Sequence, residues 1–117
     1  MVRVGQAPAG SRYVDQRHYV VAGSLSDLRG PTGGVVRLDR SLDWSGDGRY
    51  DLDDAGDLQV MYQTVLNQAA TPDDLCRWLD GATLRRIWAD LWLPARLRAL
   101  WQARIPELGP PPRALAG

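Results

Sequence analysis

The densest array of potential ligand atoms runs from Asp43 to Asp54, in the order Asp-Trp-Ser-Gly-Asp-Gly-Arg-Tyr-Asp-Leu-Asp-Asp. Oxygen ligands at this spacing, with Gly48 at the sharp turn, match the loop that wraps a calcium ion. The ligands would be Asp43, Ser45, Asp47, the Arg49 carbonyl, Asp51 and Asp54. However, the segment before the loop does not look helical, and the last position holds Asp where a longer Glu is usual. We therefore favour a turn followed by an Asp-rich helix cap, with no metal or cofactor, and keep calcium binding as an alternative.

Nucleophilic chemistry has few candidate residues in this chain. His18 is the only histidine and Cys76 the only cysteine, and no pattern in the sequence brings them together. A cysteine on an amphipathic helix is usually a buried apolar residue. We predict that the chain is not an enzyme and has no catalytic residues. A single cysteine also forms no intramolecular disulfide, which favours the cytoplasm.

The charges are balanced but segregated. The chain has 14 basic and 14 acidic residues, and every basic residue is an arginine. The charged side chains of residues 51–76 are all acidic, whereas residues 77–117 carry an excess of arginine. The acidic side chains include Asp51, Asp53, Asp54 and Asp57. Such segregation favours docking onto a charged partner, although acids at helix starts and bases at helix ends give the same order.

Four arginines are candidates for contacts with a partner or with DNA. Arg85 and Arg86 lie off the apolar face of their predicted helix, and Arg96 and Arg98 flank Leu97. Residues 75–86 also resemble a helix-turn-helix, but with a turn about two residues too short. A small DNA-binding regulator that uses these arginines is therefore an alternative interpretation.

Tryptophan is unusually abundant, with five residues against no phenylalanine. Most tryptophans fall on apolar helix faces, where core packing is expected. Trp92 differs, because it falls between two predicted helices and beside two leucines. An exposed tryptophan in such a connection is a candidate binding hot spot.

Apolar spacing predicts the elements that position these residues. One apolar face at i, i+3, i+4, i+7 marks a helix at 54–70, capped by Asp53 or Asp54. Further helices are predicted at 71–80, 82–91 and 94–105, the last with Leu97, Leu100 and Trp101 facing inward. Two β-prone runs at 19–22 and 35–38 predict a hairpin over 19–38 that packs on the helices through Leu42 and Trp44.

The expected architecture is one mainly α domain over residues 17–108, a four-helix C-terminal bundle with a small N-terminal β-hairpin (α+β). Residues 1–16 and 109–117 are polar or proline-rich and are expected to be flexible. Apolar runs are only a few residues long, so no membrane span is predicted.

Five segments carry a resemblance to a known group: 26–36, 42–45, 50–54, 61–66 and 93–101. They resemble small proteins of high-GC Gram-positive bacteria that are encoded beside nucleotidyltransferase-type toxins of the abortive-infection class. The resemblance contains no catalytic motif and implies an antitoxin or accessory partner. Antitoxins of this group usually carry a winged helix, for which this sequence shows no clear pattern.

Taken together, the sequence predicts a non-enzymatic interaction protein that occludes a toxin. The predicted contacts are Trp92, the arginines Arg85, Arg86, Arg96 and Arg98, and the acidic side chains Asp51, Asp53, Asp54 and Asp57. An acidic segment placed over a nucleotide- or RNA-binding cleft would mimic phosphate charge.

Overall fold

The computed structural model describes residues 19–43 and 47–109. Predictions for His18, Trp44, Ser45 and the two chain ends therefore lie outside the described residues. The described part has a two-stranded antiparallel hairpin and four α-helices, which confirms the mainly helical α+β class. One apolar core joins the N-terminal segment, the hairpin and all four helices.

The four helices lie where the apolar spacing placed them. They are α1 (Ala55–Gln68), α2 (Pro72–Trp78), α3 (Gly81–Ile87) and α4 (Ala95–Arg104). Short 3-10 turns follow α3 (Trp88–Asp90) and α4 (Pro106–Leu108), and another, Leu25–Asp27, precedes the hairpin. Each helix starts within one residue of its predicted start.

Side-chain caps explain why the first three helices begin where they do. The Asp54 carboxylate accepts a hydrogen bond from the Asp57 amide at 2.8 Å and caps α1. Thr71 and Asp74 form a reciprocal capping box at α2, with Pro72 at the first helical position. Asp80 caps α3 by accepting from the Thr83 amide at 3.0 Å. These caps satisfy amide groups that have no partner within their own helix.

The hairpin uses different strands from those predicted, so the expected 19–38 pairing was wrong. Strand β1 (Val35–Arg37) pairs with β2 (Arg49–Asp51), in the register Val35 with Asp51, Val36 with Tyr50 and Arg37 with Arg49. Gly48 enters β2 at φ +72°, and a Cβ there would lie 2.8 Å from the Leu38 carbonyl oxygen. Glycine is therefore required at that turn.

The N-terminal segment gives its backbone hydrogen bonds to the helices instead of to β1. The Arg29 amide donates to the Cys76 carbonyl at 3.0 Å, and the Gly30 amide donates to the Leu79 carbonyl at 2.7 Å. The Gly81 amide donates back to the Leu28 carbonyl at 3.2 Å. These bonds tie residues 28–30 across the α2–α3 junction. Residues 19–22, predicted as a strand, form none.

One helix face was also predicted wrongly. Leu97 and Trp101 on α4 are fully buried, but Leu100 is exposed at the surface. The buried side of α4 includes Gln102 and is continued by Ile105 beyond the helix end. The face of α4 that packs on the core is therefore centred away from Leu100.

Candidate functional site

A groove of about 390 Å³ lies between α1 and the connection from α3 to α4. Its α1 wall is a helical face offset from the core face, with side chains at i, i+3, i+4, i+7 and i+8 counted from Val60. The opposite wall comes from the α3–α4 connection, and Leu42 and Asp43 of the loop between the two strands also line the groove. The lining residues are Leu42, Asp43, Val60, Gln63, Thr64, Asn67, Gln68, Trp92 and Pro94.

Trp92 is the most exposed large apolar side chain of the described residues, at 86%. Its backbone is nevertheless fixed, because its amide donates to the Gln63 side-chain oxygen at 2.7 Å. The preceding residue, Leu91, is buried in the core. The structure thus confirms the predicted exposure of Trp92 and presents its indole from an anchored backbone.

Val60 supplies a second exposed apolar surface in the groove, at 47%. Sequence reasoning missed it because it fits neither the core pattern of α1 nor any motif. The available signal was an apolar residue between Leu58 and Met61, off the predicted buried face. With Trp92 and Pro94, it gives the groove an apolar part beside uncharged polar groups.

The loop end of the groove is organised by a hydrogen bond between two side chains. The Tyr50 hydroxyl donates to the Asp43 carboxylate at 2.7 Å. Burial raises the pKa of Tyr50, and the bond to Asp43 raises it further, while the Thr64 hydroxyl opposes the increase. Asp43, which sequence reasoning considered only as a calcium ligand, is therefore part of the groove.

We expect the unfolding free energy to fall as the pH rises above about 10, the usual tyrosine value. Burial raises the pKa of Tyr62 as well as that of Tyr50, so the folded state holds these protons more tightly than the unfolded state. Their stabilising contribution is complete below the unfolded pKa and is lost as the pH passes the folded one. The measurement is the free energy of unfolding from urea titrations between neutral and strongly alkaline pH. Because the chain contains no lysine, lysine titration does not contribute to the change that we assign to the tyrosines. The fall should be smaller in Tyr50→Phe; an identical fall would contradict the assignment.

The acidic side chains of residues 51–57 are held by backbone amides of this same chain. Asp51 accepts from the Asp53 amide and Asp57 from the Asp51 amide, both at 2.9 Å. Asp53 accepts from the Gly34 amide at 3.2 Å, and Asp54 caps α1. The predicted capping role of Asp54 is thus confirmed. Among residues 19–43 and 47–109, no three His, Cys, Asp or Glu side chains come together to hold a metal ion.

The four candidate arginines do not form one surface with the groove. Arg85 and Arg86 are exposed in the last turn of α3, and Arg96 lies over the Tyr19 ring at 5.4 Å. None of the three lines the groove. The α2–α3 connection, residues 79–80, is also shorter than the turn of a helix-turn-helix.

Arg98 was predicted to be available to a partner, and this was wrong. Its guanidinium donates to the carbonyls of Trp88 and Leu91 and lies 4.9 Å from the centre of the Trp88 ring. Burial lowers the pKa of Arg98. Because it binds the carbonyl of the residue before Trp92, Arg98 braces the connection that presents the indole.

Comparisons with protein-family models, curated proteins and solved structures gave no match. Within the described residues, no helix has both the length and the apolar character needed to cross a bilayer. Cys76 is half-buried on α2 and does not line the groove. The groove lined by Trp92 is therefore the candidate functional site.

Proposed function

We propose that this chain is a non-enzymatic protein-interaction module that docks its partner in the Trp92 groove. The observation that carries the proposal is the 86% exposure of an indole whose backbone is anchored by Gln63. Burying a tryptophan at a pre-organised position gives much of the affinity in many interfaces, because little side-chain freedom is lost. The surrounding amide and hydroxyl side chains of α1 can form the polar rim of such an interface.

The partner class suggested by the resemblance is a nucleotidyltransferase-like toxin in the cytoplasm, with this chain as its antitoxin or accessory protein. Asp57 lies one helical turn before Val60, so the acidic start of α1 continues the groove face. A partner in the groove would therefore also meet Asp57, whose amide is capped by the predicted contact Asp54. Basic clefts that bind nucleotides or RNA have the complementary charge.

We expect Trp92→Ala to abolish partner capture without unfolding the chain. Loss of a tryptophan hot spot costs about 2 kcal/mol or more, which weakens binding roughly thirtyfold. Because the indole makes little contact with the core, the free energy of unfolding should change by less than about 0.5 kcal/mol. The measurement is a pull-down of the tagged full chain from its host at moderate salt, read by intact-protein mass spectrometry.

Val35→Ala is the matched control, since Val35 is 54% exposed on the hairpin and does not line the groove. Wild type and this control should capture the same protein in stoichiometric amount. Equal capture by Trp92→Ala would overturn the proposal, as would recovery of the chain alone. Recovery of nuclease-sensitive DNA would instead favour the regulator alternative through Arg85, Arg86 and Arg96. A captured protein that is not nucleotidyltransferase-like would remove the antitoxin role and keep the docking role.

A further inference from the structure

Among the residues that the structure describes, Asp43 is the only ionisable side chain that lines the groove; the other described lining residues are apolar or carry an uncharged amide or hydroxyl. One of its carboxylate oxygens, Oδ2, accepts the Tyr50 hydroxyl. In the described part of the chain, the other oxygen, Oδ1, has no hydrogen-bond partner. The groove therefore holds one carboxylate that is positioned by Tyr50 and whose Oδ1 can accept a hydrogen bond from a ligand.

No cation of the described residues neutralises this carboxylate. The ion pair of the described residues joins Arg77 to Asp39 at 3.3 Å; both side chains are exposed and neither lines the groove. Asp57 lies one helical turn before Val60, outside the groove lining, and its carboxylate accepts the Asp51 amide. A groove with one sign of charge concentrates ligands of the opposite sign and repels acidic or phosphorylated segments.

The apolar part of the groove adds a second requirement. Trp92, Val60 and Pro94 present apolar surface beside the Asp43 end. An exposed indole face also attracts a guanidinium or ammonium group. Within this chain, the Arg77 guanidinium already lies 5.0 Å from the centre of the Trp78 ring.

We propose that the groove takes a linear partner segment in which an arginine or lysine stands beside an apolar side chain. The apolar side chain packs on Trp92 and Val60, and the cation reaches the free oxygen of Asp43. Because this inference rests on the proposed function, its test must separate loss of docking from loss of charge selection.

The probe is a library of random linear peptides selected on the full-length chain. Enriched peptides are then synthesised with their basic residue and with glutamine in its place. We expect this replacement to weaken binding to wild type about tenfold, the usual effect of losing a hydrogen bond to a charged group. On Asp43→Asn the two peptides should bind equally, because the amide oxygen still accepts the Tyr50 hydroxyl but carries no charge.

Asp73→Asn is the matched control, since Asp73 is exposed on α2 and does not line the groove. It should keep the full preference for the basic peptide. Peptides that bind through Trp92 with no basic preference, or with the same preference on Asp43→Asn, would overturn this inference and leave the proposed function standing. Failure to select any peptide whose binding needs Trp92 would also overturn this inference, whereas the proposed function is decided by the capture experiment with Trp92→Ala.

Discussion

Replacing Trp101 by alanine is expected to lower the free energy of unfolding by about 3–5 kcal/mol, the usual cost of truncating a buried tryptophan. Trp101 is fully buried on α4, and its ring centre lies 6.3 Å from that of Trp88 at an interplanar angle of 43°. The substitution opens a cavity and removes this aromatic contact. Since small domains are stable by only about 5–15 kcal/mol, the variant should be partly unfolded at physiological temperature.

Urea unfolding monitored by circular dichroism measures this loss, and Trp101→Phe keeps the test readable if the alanine variant does not fold. Within the described residues, the buried Trp101 Nε1 has no hydrogen-bond partner. Phenylalanine retains a ring and removes that unsatisfied donor, so we expect a smaller loss of about 1–2 kcal/mol. A negligible loss in Trp101→Ala would show that α4 does not pack as described.

Replacing Gly81 by alanine is expected to cost about 3 kcal/mol, at the upper end of the usual effect of overpacking. Gly81 opens α3 under the Leu25 turn, and a Cβ there would overlap the Leu25 carbonyl oxygen and lie 2.8 Å from its carbonyl carbon. Because backbone is in the way, no side-chain rotation relieves the overlap. The N-terminal segment must move off the α2–α3 junction, which breaks its hydrogen bonds there.

The matched control is Gly56→Ala, a glycine in the first turn of α1. A Cβ there meets only the end of the Asp54 side chain, at 3.3 Å. Alanine favours the helix more than glycine does, but its Cβ disturbs the Asp54 cap. Because these two effects oppose one another, the free energy of unfolding should stay within about 1 kcal/mol of the wild-type value. If amide hydrogen exchange shows Gly30 equally protected in Gly81→Ala and wild type, the described packing of the segment is wrong.

The helices were predictable because their signals are local. Asp54 and Thr71 cap through their own first turns, and the α1 core residues repeat at helical spacing. Such features need no knowledge of distant contacts. Trp92 was identifiable for the same reason, since it breaks the pattern between two predicted helices.

The remaining features depend on contacts between distant parts of the chain. Strand β2 has three residues and follows an Asp-rich loop, so it carries no alternation that distinguishes it from a turn. Arg98 looks like a surface residue until the α3–α4 connection brings two carbonyls to its guanidinium. Asp43 joins the groove through Tyr50 and the fold of the loop, which its sequence neighbours do not reveal.

The groove itself is a tertiary feature, although about half of its lining residues belong to α1. A polar helix face that includes one valine is a weak signal until Trp92 lies opposite it. The Trp92 amide donates to the Gln63 side-chain oxygen and the Arg98 guanidinium donates to the Leu91 carbonyl, and these two bonds hold Trp92 opposite α1. The identity of the partner stays a prediction that biochemical capture must test.

Hydroxyl-radical footprinting of the captured complex tests the central claim most directly, because it reads the exposure of individual tryptophans. In the free chain, Trp92 should oxidise far faster than the buried Trp88 and Trp101. In the complex, oxidation of Trp92 should fall to the level of those buried residues, while Val35 keeps its reactivity. Unchanged oxidation of Trp92 in a stoichiometric complex would show that the partner docks elsewhere and would contradict the account.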